Sequence, residues 1–175
     1  MKKILGLVVS LTVISGVCAA VLAYVNARTA GPIREVAAKN EAEAVRRVMP
    51  QGVEEIADLG GGVFAGKDGA GAVVGYAAKG MSGEGYSGNI ELMVGFGPDR
   101  KTLVGYEKLQ ATETPGLGMK LISPEFKDQF AGKDGSSLKV VKDGGAIEAI
   151  TSATITSRAV CKAIEAAQAK VASVR

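Results

Sequence analysis

The spacing of apolar positions changes period along the chain and divides it into three stretches. Residues 4–24 carry no charged side chain. As a helix rising about 1.5 Å per residue, they would span roughly 30 Å, the thickness of a bilayer's hydrocarbon core. A second helical pattern opens at Gly31-Pro32, where proline suits a first helical turn. Ile33, Val36, Ala37, Ala44, Val45 and Val48 recur at helical spacing with charged residues between them, until Pro50 stops the run. This segment is expected to form a stalk helix.

Beyond Pro50 the period shortens, and strands are predicted over 72–79, 89–96 and 103–111. In the second of these, Ile90, Leu92, Val94 and Phe96 alternate with Glu91, Met93 and Gly95, the pattern of a half-buried face. Gly97-Pro98-Asp99 supplies a turn into the third strand. Residues 138–141 and 146–150 read as a hairpin about Asp143-Gly144-Gly145. The chain closes with a predicted helix over 157–173, whose apolar face is Val160, Ile164, Ala167 and Val171. Strands followed by helices, without a βαβ alternation, give an α+β fold: an antiparallel sheet with flanking helices, preceded by one N-terminal transmembrane helix. The expected organisation is an anchor over 1–27, a stalk over 28–50 and a folded domain over 51–175.

Charge adds an orientation. Lys2 and Lys3 precede the apolar run, and the positive-inside bias then places the N-terminus in the cytoplasm and everything from about Arg28 outside it. Val25-Asn26-Ala27 could serve as a signal-peptide cleavage site, but secretory apolar cores run about 7–15 residues and this one is longer. A lipoprotein signal ending at Cys18 is disfavoured by Val17, where a smaller residue is wanted. The net charge of +3 over 175 residues, without a dense basic block, gives no support to nucleic-acid binding. With no histidine there is no His-based acid–base chemistry and no His-ligated metal. Cys18 and Cys161, one in the apolar run and one in the last helical pattern, build neither a disulfide nor a metal site. No metal ligands and no catalytic acid, base or nucleophile are assigned.

Three motifs carry candidate chemistry. Gly83-Glu84-Gly85-Tyr86-Ser87-Gly88 matches GxGxxG in form, but a dinucleotide fingerprint follows a strand and opens a helix. Here a strand follows, so a glycine-rich turn is the better account. Glu113-Thr114-Pro115-Gly116-Leu117-Gly118 is a turn-forming loop that can present Leu117 as an apolar face, although taken alone an ordinary surface turn is the better account of it. Thr151-Ser152-Ala153-Thr154-Ile155-Thr156-Ser157 lies at the entry to the last helix. Such hydroxyls either cap the helix or join its unpaired N–H groups in holding a phosphate, and physics alone leaves both open.

Together these segments resemble the G subunits of Rnf-type electron-transport complexes. Glu148-Ala149-Ile150-Thr151-Ser152-Ala153-Thr154 is similar to that family's flavinylation motif, with Glu148 where Asp is most frequent and Ser152 where Gly is most frequent. Residues 113–118 match its second hallmark loop, and Gly85-Tyr86 with the strand after it fits as well. The resemblance covers roughly residue 72 to the C-terminus. It implies FMN esterified through its phosphate to Thr154, with Thr151 and Thr156 holding the phosphate. It also implies Leu117 against the ring, Glu113, Thr114 and Gly118 at its polar edge, and Tyr86 alongside.

The resemblance further implies an electron relay on the outer face of the cytoplasmic membrane, in a complex that links ferredoxin and NAD to Na⁺ or H⁺ movement. The relay has no complete catalytic activity alone. Implied partners are the A, B, C, D and E subunits, above all D and the iron–sulfur-bearing membrane subunits, and a flavin transferase for maturation. The related C subunit of Na⁺-pumping NADH:quinone oxidoreductase is the nearest alternative. A membrane-anchored flavin-binding sensor and a cofactor-free structural domain are the others.

Overall fold

A computed structural model describes residues 2–174. The elements are α1 (Lys2–Val48), β1 (Glu55–Gly60), β2 (Val63–Lys67), β3 (Val73–Gly85), β4 (Gly88–Phe96) and β5 (Leu103–Gln110), then α2 (Pro124–Lys127) and α3 (Thr154–Ser173). Short 3₁₀ turns at Gly118–Ile122, Asp128–Phe130 and Val141–Asp143 punctuate the connection between β5 and α3. The chain divides into two compact units, one ending at Lys39 and the other beginning at Asn40.

The first unit is helical and is long and apolar enough to cross a membrane. Thr12 and Thr29 donate their hydroxyls to the carbonyls of Val8 and Val25 one turn back (2.8 and 3.0 Å), which satisfies them without water. Pro32 lies inside α1 and does not start a helix. The expectation of a new helix at Gly31-Pro32 is therefore corrected: a single proline removes one backbone bond, and the regular turns around it carry the helix through.

In the second unit the five strands form an antiparallel meander in the order β1-β2-β3-β4-β5. The GxGxxG segment is the β3–β4 hairpin. Helix α3 lies on one face of the sheet, over β3 and β4, and Ile90, Leu92, Val94 and Phe96 of β4 are fully buried in the core that includes Val160, Ile164, Ala167 and Val171 of α3. The last residues of α1 and the residue after it cover part of the other face, where Ala44, Val45, Val48 and Met49 pack on Ala77 and Met93. Met93 is buried for that reason, although the alternation placed it on an open face. Tyr106 of β5 stands edge-on to Phe130 (5.4 Å, 85°) and donates its buried hydroxyl to the Leu121 carbonyl (2.5 Å), tying the segment after β5 to the sheet.

Two further differences from the sequence reading are physical. β1 and β2 have no predicted counterpart, because β1 is mostly exposed and lacks the alternation that marks a buried face. The hairpin expected over 138–150 is a 3₁₀ turn with one isolated parallel bridge, Val140 to Ile147. A Cβ on Gly145 would run into the backbone of Lys139, so the chain doubles back more tightly there than a hairpin does.

Both cysteines are free. Burial, with the Glu165 carboxylate contributing next, pushes the Cys161 thiol up to about 12. Cys161 is therefore expected to resist maleimide at pH 8 in the folded protein and to label once the domain is unfolded, since the thiolate is the reactive form. Peptide mass analysis before and after denaturant separates Cys161 from the exposed Cys18, and rapid labelling of Cys161 in the folded chain would contradict the expectation.

Candidate functional site

The entry to α3 is built by a tight turn. The Ala153 N–H donates to the Ile150 carbonyl (2.9 Å), with Thr151 and Ser152 at the tip. Ser157 closes the turn from within the helix: its buried hydroxyl donates to the Ala153 carbonyl (3.0 Å) and accepts from the Ile150 N–H (2.9 Å). Because Ala153 takes the N-cap position, α3 begins at Thr154, three residues earlier than the apolar pattern predicted. Alanine supplies no side-chain cap, so the first N–H groups of α3 keep their hydrogen-bonding capacity and the positive end of the helix dipole.

Ser152 reaches φ 63°, a left-handed conformation that costs an L side chain roughly 1–2 kcal/mol and glycine nothing. Ser152→Gly is expected to stabilise the domain by about 0.5–1 kcal/mol, part of the relief being lost to the greater freedom of glycine in the unfolded chain. A thermal melt checks it, and a lower midpoint would show that the serine hydroxyl matters more than the backbone.

A second segment approaches from the end of β5. Residues 113–118 turn at Gly116 (φ 76°), and the N–H groups of Leu117 and Met119 both donate to the Thr114 carbonyl (3.2 and 3.1 Å). The turn leaves Leu117 44% exposed, while Glu113 is only 4% exposed. Both Glu113 oxygens accept hydrogen bonds: Oε2 from the buried Thr156 hydroxyl (2.7 Å) and Oε1 from the Ser87 N–H at the β3–β4 hairpin (3.2 Å). Thr112 adds a third tie, donating its hydroxyl to the Ser87 carbonyl (3.1 Å). One carboxylate thus links the hairpin, the loop and the first turn of α3.

These three segments enclose a cleft of about 560 Å³, within the usual range of small-molecule sites. Tyr86, Glu113, Thr114, Leu117, Gly118, Thr154 and Thr156 all line it, with Ser152, Ala153 and Ile155. The exposed faces of Tyr86, Leu117 and Ile155 make its rim apolar. Glu113 is the one charged residue of the lining. Thr151 lies outside this cleft, in an adjoining hollow with Lys142 and Glu148 that Thr154 also borders.

The donor of Thr156 is directed to Glu113, so at the cleft this residue offers its backbone N–H more than its hydroxyl. The sequence pattern assigns no role of their own to Ser87, Ser157 and Ile155. For Ser157 a signal existed, a hydroxyl one turn after Ala153; for Ser87 there was none.

Residues 85–169, which contain the cleft, match the FMN-binding domain family. Over 176 residues the chain is 34% identical to the G subunit of the ion-translocating oxidoreductase complex of Methanosarcina acetivorans, covering 95% of this chain and 93% of that one. It is 36% identical over 184 residues to the G subunit of the Na(+)-translocating ferredoxin:NAD(+) oxidoreductase complex of Acetobacterium woodii, with 91% and 86% covered. The fold is similar to two solved structures. One is Shewanella oneidensis NqrC (TM-score 0.50, 24% identity, 64% of this chain and 61% of that one). The other is the C subunit of the Na(+)-translocating NADH-quinone reductase of Parabacteroides distasonis (TM-score 0.53, 26% identity, 65% and 63%). The chain spans just under two thirds of those two proteins.

Proposed function

Because the chain belongs to the family of G subunits of Rnf-type ion-translocating oxidoreductase complexes, we propose that it is the complex's membrane-anchored electron relay, carrying FMN as a phosphoester on Thr154. The observation that carries this reading is the shared cleft: the Thr154 side chain at the start of α3 opens into the same space as the apolar rim of Tyr86 and Leu117. The residues fit FMN chemically. A phosphodiester at Thr154 sits at a helix N-terminus whose N–H groups lack a side-chain cap, and a flat aromatic ring finds apolar surface at Leu117 and Tyr86.

Within this reading each residue has a task. Thr154 tethers. The N–H groups of the first turn of α3 hold the phosphate, with Thr151 reaching it from the adjoining hollow. Leu117 packs on the ring, Tyr86 lies alongside, and Thr114 and Gly118 border its polar edge. Glu113 accepts from Thr156 and Ser87 and keeps the walls of the cleft in register. Bound flavin supplies one-electron transfer, which no side chain here provides.

Attachment forms a bond from Thr154 Oγ to the FMN phosphorus of FAD and breaks the phosphoanhydride, so AMP leaves. Glu113 is engaged by Thr156 and Ser87 and is not placed to take the Thr154 proton. A separate flavin transferase therefore supplies the base. The proposed complex passes electrons between ferredoxin and NAD and moves Na⁺ or H⁺, with the N-terminus cytoplasmic and the flavin domain outside. The relay's neighbours are the D subunit and an iron–sulfur-bearing membrane protein among the A, B, C, D and E chains. The near-full-length match to G subunits favours this over the corresponding C-type protein of a quinone reductase.

The test is to purify the protein from its native membrane, run a denaturing gel under ultraviolet light and map the modified peptide. A fluorescent band with one FMN minus water on the Thr154 peptide supports the reading. No flavin, with the transferase present, sinks the covalent assignment.

A further inference from the structure

We propose that the Glu113 carboxylate sets the reduction potential of the flavin in this cleft, holding it low by placing a negative charge against the ring's binding surface. The inference rests on the FMN reading of the cleft and goes beyond it, since a scaffold role for Glu113 does not need its charge.

The observations concern one group. Glu113 is 4% exposed, and both of its oxygens accept hydrogen bonds. Backbone closes around it. A Cβ on Gly85 would sit 2.7 Å from Oε1, and one on Gly118 would sit 2.5 Å from Oε2 and 2.7 Å from Thr156 Oγ1. Two glycines thus leave room for the carboxylate, one in the hairpin and one in the loop. Among the described residues no Lys or Arg lines the cleft, and no ion pair involves Glu113.

Its charge is therefore met by one hydroxyl, one amide and the partial positive end of the α3 dipole, with no cation among the described residues to cancel it in full. Water screens a charge so enclosed poorly, and its field extends into the cleft that Glu113 lines. Adding an electron beside an uncancelled negative charge is disfavoured, as ionising a second carboxylate beside a first is. A neighbouring charge of this kind shifts such equilibria by about tenfold or more.

The test is a spectroelectrochemical titration of the full-length, flavin-bearing protein in detergent at fixed pH, wild type against Glu113→Gln, with a thermal melt of each. Removing the charge is expected to raise the midpoint by about tenfold in the ratio of reduced to oxidised flavin, ~59 mV for a one-electron couple. Flavin content is measured alongside, and the midpoint is read from the loaded fraction of each variant. An unmoved or lowered midpoint in loaded Glu113→Gln overturns the proposal, even if the melting temperature falls. Glu113→Asp keeps the charge, so its midpoint is expected to stay closer to wild type. If it moves as far as the glutamine variant should, geometry and not charge is responsible, and the proposal fails even if Glu113→Gln does not fold. Wild-type protein without flavin would instead refute the reading on which the inference rests.

Discussion

Thr154→Ala is expected to remove all covalent flavin from the protein while leaving its fold in place. Thr154 is the first residue of α3, half-buried, with its side chain open to the cleft and outside the hydrophobic core. The two hydroxyl residues after it are committed elsewhere, Thr156 to Glu113 and Ser157 to the Ala153 carbonyl and the Ile150 N–H. Alanine at the first helical position keeps the backbone turn and loses only a hydroxyl and a methyl group. The melting midpoint should then stay within what a surface substitution allows, about ±0.5 kcal/mol.

Co-expression with a flavin transferase, a fluorescent gel and intact mass decide the matter. Loss of the FMN mass increment with a native melt is the expected pair of results. A flavin adduct that persists in Thr154→Ala would move the acceptor to another hydroxyl. Thr151 and Ser152 are the exposed candidates, whereas Thr156 and Ser157 are buried and already bonded.

Much of this arrangement can be read from local pattern, and the rest fails for a common reason. β4 is legible because one of its faces is lined by Ile90, Leu92, Val94 and Phe96, and α3 because Val160, Ile164, Ala167 and Val171 recur at helical spacing. The loop at 113–118 and the turn before α3 are legible as turns from their own glycines, prolines and hydroxyls. That they share a cleft with Tyr86 is a product of topology, to which the resemblance pointed and periodicity did not.

Glu113 shows the limit best. Its hydrogen-bond partners lie 26 and 43 residues away, so nothing in the sequence around it announces that it joins three segments. β1 was invisible because it is an exposed edge strand without alternation. Alternation alone leaves Met93 on an open face, whereas the end of α1, remote in sequence, covers that face of the sheet.

The same dependence on distant contacts makes Gly80→Ala a substitution expected to cost much of the domain's stability. Gly80 lies in β3 beneath α3, and a Cβ there would collide with the carbonyl oxygen of Ala163 and lie 2.9 Å from the Ala163 carbonyl carbon and the Ala167 Cβ. The obstacle is backbone on a helix packed along β3 and β4, so no rotamer change relieves it and α3 itself must lift. Overpacking typically costs about 1–3 kcal/mol and more where backbone must move, so ~3 kcal/mol or above is expected. That is a large share of the roughly 5–15 kcal/mol that holds a typical domain together. Gly105→Ala in β5 is the control, because a Cβ there meets nothing within 4 Å, and its melt should be close to wild type. Thermal melts of both variants in detergent should differ by roughly 10 °C. A Gly80→Ala protein as stable as Gly105→Ala would mean that α3 does not approach the sheet this closely. If the helix does lift, its first turn shifts with it, carrying Thr154 away from Leu117 and Tyr86. Flavin loading by the transferase should then fall even in the fraction of Gly80→Ala that remains folded, which ties the packing of the sheet to the chemistry at its end.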